Sequence, residues 1–270
     1  MAFLSEIYLY PVKSLGGFQV QSWPLVKTGL RYDRQWMLVD ENGLFLSQRR
    51  LPKMALIATQ IKDQQLWLSA AGQSPIAVGL DQTNGEDIPV QVWEDDCLAV
   101  GVSEQVDQWL SEFLQHRCRL VYFPEHRVRQ VDQNYAITSD QTAFSDGFPL
   151  LIVSNASLTA FNQAANLNIS MQRFRPNLVI DDCAAYAEDS WRQISLGEIG
   201  LRLPKPCSRC AVPGINPDTA IAEKAVLASL AQLRQSQNKI YFGQNALHNQ
   251  PGILTVGDKL TVHQSGDAII

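Results

Sequence analysis

The 270-residue sequence predicts a β-rich α+β fold, and three observations carry that prediction. Short runs of β-branched and aromatic residues recur through the first hundred positions, divided by turns of Gly, Asn and Pro. One segment instead has helical spacing, with Val106, Trp109, Leu110, Phe113 and Leu114 falling on a single face. The composition, 46% hydrophobic and 18% charged, supplies the core of one large domain or two smaller ones.

Taken in order, a first strand is expected over about 3–12, ending in Lys13-Ser14, with Gly16-Gly17 giving backbone freedom after it. Residues 35–40 and 44–47 form a hairpin around Asn42-Gly43, which tolerates the positive φ of a tight turn. Further strands are expected at 55–62, 65–70, 75–79, 88–94 and 97–101, at the spacing of a barrel or sandwich. Ser103 stands where it can cap the helix that runs to Leu114. A strand over 118–123 then leads into a polar loop from Pro124 to Phe144, long enough to be functional or a domain joint. In the second half, strands are expected at 149–153, 177–181, 191–202 and 252–263, and helices over 157–166 and 223–234.

The formal net charge of −5 argues against a nucleic-acid surface, which needs a basic excess to displace counterions. No run approaches the roughly 18 apolar residues of a spanning helix, and Met1–Glu6 lacks the basic flank and apolar core of a signal peptide. A cytoplasmic protein without a membrane contact is therefore expected. Cys97, Cys118, Cys183, Cys207 and Cys210 are odd in number and mostly scattered, the pattern of reduced thiols.

The most specific local feature is Leu203-Pro-Lys-Pro-Cys207-Ser-Arg-Cys210, continuing through Pro213 to Asn216-Pro-Asp-Thr219. Four prolines between 204 and 217 remove backbone donors, so a rigid loop is expected here, not a regular helix or a central strand. Lys205 and Arg209 flank the thiols, and nearby cations favour thiolate over thiol. A structural zinc site needs further ligands, and neither a second Cys pair nor a suitable His spacing is present. A thioredoxin-like pair belongs at a helix start in a βαβ setting. Two inert cysteines in a stiff loop are the third reading, and spacing alone leaves all three open.

Elsewhere, Arg173-Phe-Arg175-Pro-Asn177 opens an apolar strand, Asp33-Arg34 precedes Trp36, and Lys13-Ser14 closes the first strand. Each is ordinary alone, as an edge charge or a turn residue. Together they suit a pocket for an anionic ligand, since Arg offers a planar fork to phosphate and Ser a neutral donor.

The order of these motifs resembles a known family. Tyr10-Pro-Val-Lys13-Ser14, Asp33-Arg34, Asp146-Gly-Phe-Pro149, Ser154-x-Ala-Ser-Leu158, Phe174-Arg-Pro-Asn177, Tyr186-Ala-Glu-Asp-Ser-Trp191, Cys207-Ser-Arg-Cys210, Asn216-Pro-Asp-Thr219 and Phe242-Gly-Gln-Asn245 are similar to MOSC proteins with an N-terminal β-barrel extension. Within that family the resemblance is to amidoxime-reducing components and to bacterial hydroxylaminopurine-detoxifying proteins. It implies a β-rich extension over 1–120 that ends in the amphipathic helix, then a MOSC β-barrel with peripheral helices over 121–265.

The resemblance also implies that Cys210, not Cys207, ligates the molybdenum of a molybdopterin cofactor. Lys13, Ser14, Arg34, Arg175, Asn177, Ser208 and Arg209 would hold the pterin and its phosphate, with Gly147, Phe148 and Asn245 closing the pocket. Asn245 stands where some relatives carry tyrosine. The implied activity is reduction of N-hydroxylated small molecules. The longer relatives carry an iron–sulfur domain that needs four cysteines, yet none follows Cys210 here, so no iron–sulfur cluster is expected in this chain. Electrons would come from a separate ferredoxin- or flavin-type reductase. The rival readings are a carrier of the cofactor or its sulfur, and a metal-free protein with a decayed site.

Overall fold

Residues 150–153 are apolar without alternation because the strand that they form, Leu150–Ser154, is buried at every position, covered on both faces. The computed structural model describes residues 1–80 and 85–268. Leu150–Ser154 lies inside a sheet whose neighbours run Leu260–Ser265, Trp191–Leu196, Ile199–Ser208, Lys239–His248, Leu150–Ser154, Leu178–Asp181, Phe3–Leu9 and Phe18–Val20. These pairs are antiparallel except Leu150–Ser154 with Leu178–Asp181, which is parallel. A parallel pair needs a crossover, and the helix Asn155–Ala165 supplies it.

The sheet curls until its ends meet, with Phe3 bridging Lys259 and the Leu4 amide donating to the Asp258 carbonyl at 2.9 Å. Period-two alternation divides its residues between two cores. Leu4, Ile7, Leu9, Ile152, Leu178, Ile180, Ile194 and Leu201 fill the barrel. Tyr8, Tyr10, Leu151, Val153, Val179 and Phe242 face outward, where Phe161 of the crossover helix and Val226 and Leu230 of the helix Lys224–Arg234 cover them.

A second β-region is built from Trp36–Val39, Arg119–Tyr122, Asp95–Gly101 and Asp87–Val92, beside the meander Ala58–Lys62, Gln65–Ser69 and Ile76–Gly79. The helix Glu104–Leu114 closes its core through Val106, Leu110 and Leu114. The expected β-rich α+β class is the class observed. Early strands are stitched into the later sheet: Phe3–Leu9 pairs with Leu178–Asp181, and Ser22–Val26 pairs with Gly252–Thr255. Lys13 and Ser14 thereby reach the second half of the chain.

Several details differ from expectation. The first part of the proline-rich segment is no loop, since Ile199–Ser208 is a ten-residue strand between two partners, whereas Pro213 and Pro217 lie beyond it outside any strand. Its register against Lys239–His248 shifts between Arg202 and Lys205 and again between Pro206 and Ser208, so the missing proline donors fall where the ladder is already interrupted. Gly16 and Gly17 do not have positive φ. Gly17 serves close approach instead, since a Cβ there would lie 2.4 Å from the Tyr10 ring. Ser103 precedes its helix without a side-chain cap. The 191–202 and 252–263 segments each divide, the first into a hairpin turning at Gly197 and the second into Gly252–Thr255 and Leu260–Ser265. The strand Lys239–His248 was not anticipated.

Candidate functional site

Lys13, Ser14, Arg34, Gly147, Phe148, Arg175, Asn177, Ser208, Arg209, Cys210 and Asn245, the residues that the resemblance implies for the site, line one cleft of about 140 Å³. It opens where the first strand, the Asp33-Arg34 turn, the entry to Leu178–Asp181 and the end of Ile199–Ser208 converge. Cys210 lies just beyond that strand end, exposed and free, and Cys207 within it is half-buried and free.

Three residues of the cleft hold strained backbones. Ser14, Arg34 and Arg175 have φ of 67°, 47° and 53°, in the left-handed region that costs a non-glycine residue roughly 1–2 kcal/mol. Such strain persists only where surrounding contacts over-determine it. Those contacts are visible: the Arg34 amide donates to the Tyr10 carbonyl at 2.8 Å, and its Nη2 to the Arg175 carbonyl at 2.9 Å.

The N-terminal wall is internally paired. Lys13, buried, donates from Nζ to the Phe144 carbonyl at 2.8 Å and to Asp146 Oδ1 at 2.5 Å. Burial pulls the Lys13 pKa down, and Asp146 opposes that fall. Crowding by the cleft walls pushes the Asp146 carboxyl up, but Lys13 more than reverses this and holds it below the usual carboxylate range. Arg34 donates from Nη1 to Asp33 Oδ2 at 2.5 Å and to Asn177 Oδ1 at 3.0 Å. Asn177 spends the rest of its amide on the Leu151 amide and the Tyr8 carbonyl, so it aligns strands and steadies Arg34.

The wall from the second half of the chain is paired only in part. Arg175 donates from Nη1 to the Leu15 carbonyl at 2.6 Å, but its buried Nη2 has no partner, and neither does the buried Nε of Arg209. Arg175 and Arg34 stack on the Tyr10 ring, 4.2 and 4.5 Å from its centroid. Burial first, then the charge of Arg34, lowers the Arg175 pKa to about 10. Buried guanidinium nitrogens without acceptors are costly and call for an anion.

The two thiols differ in their surroundings. Arg209 donates from Nη1 to Cys207 Sγ at 3.1 Å and from Nη2 to the Phe174 carbonyl at 2.7 Å. Lys205 turns to the rings of Tyr135 and Phe148, 4.2 and 5.7 Å away. The basic pair expected to serve both cysteines thus attends Cys207 and the aromatic lip. Ser208 and Gly147 border the cleft, and a Cβ on Gly147 would meet open space. Asn245 donates to the Pro206 carbonyl at 3.3 Å. Among the described residues, no group of three or more His, Cys, Asp or Glu side chains could hold a metal ion, so the zinc reading finds no ligand set.

Sequence reasoning assigned no role to Asp146, Tyr10 or Trp93. Asp146 and Tyr10 stood within quoted motifs, a signal that could have been followed. Trp93 gave none, since its hairpin turn holds no glycine.

The fold and the cleft define a MOSC-domain protein with a β-barrel extension at its N-terminus. The family described as MOSC N-terminal beta barrel domain matches residues 1–117, and that described as MOSC domain matches 139–261. The chain belongs to this family. Mitochondrial amidoxime-reducing component 1 of Mus musculus is 33% identical over 94% of this chain and 80% of its own. Molybdenum cofactor sulfurase of Danio rerio is 33% identical over 94% of this chain, which matches only 33% of that longer protein. A solved structure, the YUAD protein of Bacillus subtilis, covers 97% of this chain and 96% of its own at 12% identity, with a TM-score of 0.44. No helix among the described residues is long and apolar enough to cross a membrane.

The cleft fits an anionic, thiolate-anchored group. Its unpartnered Arg175 and Arg209 nitrogens suit phosphate or pterin acceptors, and Cys210 is a free thiol at the same opening.

Proposed function

We propose that this protein is a molybdenum-cofactor-dependent reductase of N-hydroxylated compounds, with Cys210 as the protein ligand to molybdenum. The observation that carries the reading is the pair of buried guanidinium nitrogens without acceptors, on Arg175 and Arg209, at the cleft that Cys210 borders. When bound, the cofactor supplies two-electron oxygen removal, converting R–NHOH, two electrons and two protons into R–NH2 and water.

The chain's own residues do the rest. Arg175 and Arg209 bind the anionic end of the cofactor, and Ser14 and Ser208 add neutral donors. Arg34, held by Asp33 and Asn177, braces Tyr10 and the Arg175 carbonyl so that Arg175 keeps its place. Asp146, fixed by Lys13, sets a carboxylate at the mouth beside Cys210. Electrons come from a donor outside these 270 residues, of ferredoxin or flavin type.

The test is reduction of benzamidoxime by protein from a host that makes the cofactor, with a chemically reduced viologen as donor. Wild-type protein is expected to release benzamidine and Cys210→Ala to release none. Molybdenum-loaded wild type that leaves benzamidoxime untouched sinks the reading. A second reading, a carrier of the cofactor or its sulfur, draws on the likeness to the sulfurase and on the exposed thiol. A persulfide on Cys210 of such inactive protein would support it.

A further inference from the structure

A second hollow, of about 310 Å³, lies between the Gly16-Gly17 link, residues 55–58 and the loop from Val212 to Asp218. It shares Arg175 and Val212 with the cleft, whereas Lys13, Ser14, Ser208, Arg209 and Cys210 do not border it. Ala55, Leu56, Ala58 and Ile215 give it an apolar wall.

The loop on one side carries Asn216-Pro-Asp-Thr219, a motif that the proposed reaction leaves without a role. Side chains fasten this loop. The Asp218 amide donates to Asn216 Oδ1 at 2.9 Å, Asn216 Nδ2 to Glu223 Oε1 at 2.8 Å, and Arg173 Nη2 to Glu223 Oε2 at 2.7 Å. Glu223 thereby answers the charge of Arg173, whose other terminal nitrogen meets the Pro213 carbonyl at 3.3 Å.

Tyr10 is the polar group that this arrangement leaves over. Only 1% exposed, it borders the hollow and not the cleft, and its hydroxyl has no partner among the described residues. The ring is held in place, with Gly17 packed so closely that a Cβ there would lie 2.4 Å away, and with Arg175 and Arg34 stacked on it. Burial pushes the Tyr10 pKa up to about 12 against the pull of Arg175 and Arg34, so at neutral pH the group is an O–H donor. A buried donor without an acceptor carries a desolvation cost that an acceptor on a ligand removes.

We infer that this hollow is a binding site, separate from the cofactor cleft, for small carboxylates with an apolar body. The carboxylate accepts from Tyr10 Oη, the Arg175 charge 4.2 Å from the ring centroid adds attraction, and the body lies against Ala55, Ala58 and Ile215. Asp218, exposed at the rim, disfavours a second negative charge on the ligand. Arg175 also serves the cleft, so the occupants of the two sites act on one guanidinium, and coupling between them is reciprocal.

Benzoate is the probe and benzamide its neutral counterpart. Both are titrated by calorimetry and ligand-observed NMR into wild type, Tyr10→Phe and Ala58→Phe, purified from a host that makes the cofactor. Ala58 lines the hollow from an exposed position of the strand Ala58–Lys62, so a phenylalanine there fills the hollow without entering the core. Wild type is expected to bind benzoate with a Kd on the order of 1 mM or tighter, and about tenfold better than benzamide. Tyr10→Phe is expected to weaken benzoate about tenfold, the scale of one hydrogen bond to a charged group. Ala58→Phe is expected to lose benzoate binding and to keep the molybdenum content of wild type.

Wild type that binds no benzoate at about 10 mM, or binds benzamide equally well, overturns the inference. So does undiminished benzoate binding in Ala58→Phe. Folded Ala58→Phe that purifies without molybdenum would make the hollow part of the cofactor site and overturn its separateness. If Tyr10→Phe does not fold, Ala58→Phe and the comparison with benzamide decide. Wild type without molybdenum defeats the reading of the cleft, and the benzoate titrations then still decide this one.

Discussion

The two walls of the cleft treat buried positive charge in opposite ways. On the N-terminal wall Lys13 meets Asp146 and Arg34 meets Asp33 and Asn177, so each cation is answered within the protein. On the wall from the second half of the chain Arg175 and Arg209 each keep a buried nitrogen without an acceptor. The difference separates cations answered within the protein from cations that keep a free donor, although all of them are basic residues of one pocket.

The largest effect should appear on the paired wall. Asp33 is buried, and besides Arg34 it accepts the Tyr10 amide at 2.9 Å. Asp33→Ala leaves a buried guanidinium uncompensated and is expected to cost about 3–5 kcal/mol in urea denaturation. A loss below about 1 kcal/mol would show that the pair is only a surface ion pair in effect.

Next comes the scaffold between the walls. A Cβ on Gly17 would lie 2.5 Å from the Leu9 carbonyl as well as against Tyr10, and backbone cannot swing away. Gly17→Ala should cost about 1–3 kcal/mol and displace the ring on which Arg34 and Arg175 stack. Unchanged stability would mean that the first strand yields more easily than its pairing suggests.

On the unpaired wall the expected stability effect is small and the binding effect large. Arg175→Met removes a desolvated charge crowded by Arg34, so the cofactor-free protein should change by less than about 1 kcal/mol. The same variant should purify with much less molybdenum. A large loss of stability with normal molybdenum would reverse the assignment of the two walls.

The smallest effect lies outside the cleft, where adjacent acids repeat the contrast. Asp189 is paired with Arg234, whereas Glu188 accepts from neutral groups, the Ser154 amide and hydroxyl among them. Burial raises the Glu188 pKa above its ordinary 4.5, and the bonds from Ser154 and Ser157 only partly offset it. A raised folded pKa gives stability that is full below the unfolded value and is lost as pH rises through the folded one. The stability of wild type relative to Glu188→Gln should therefore decline as pH is raised above about 4.5. A constant difference across that range would count against the raised pKa.

Much of this arrangement was legible in the residues. Asn42-Gly43 marked its turn, which has positive φ at Gly43, and the apolar stripe from Val106 to Leu114 marked its helix, because both signals are local. The eleven candidate residues named from the sequence share one cleft, yet their difference in pairing was not legible. Asp146 reaches Lys13 across more than a hundred residues, and only the fold joins them. The strained backbones of Ser14, Arg34 and Arg175 left no mark, since none is glycine. The strand Lys239–His248 was hidden by Gly243, Gln244 and Asn245, which look like a loop but include a buried Gln244 bonded to Asp189 at 2.9 Å. The prolines at 204 and 206 misled for the converse reason, since bulges absorb them. We propose that the division near residue 120 separates sequence modules, while Phe3–Leu9 and Ser22–Val26 are shared with strands of the second half.

We propose that Cys210 is the point where the cofactor is anchored. X-ray absorption at the molybdenum edge, on wild type and on Cys210→Ala purified from a host that makes the cofactor, tests that claim most directly. The account predicts molybdenum in wild type, with a sulfur neighbour that disappears in Cys210→Ala. Wild type without molybdenum, or an unchanged sulfur shell in the variant, would contradict it.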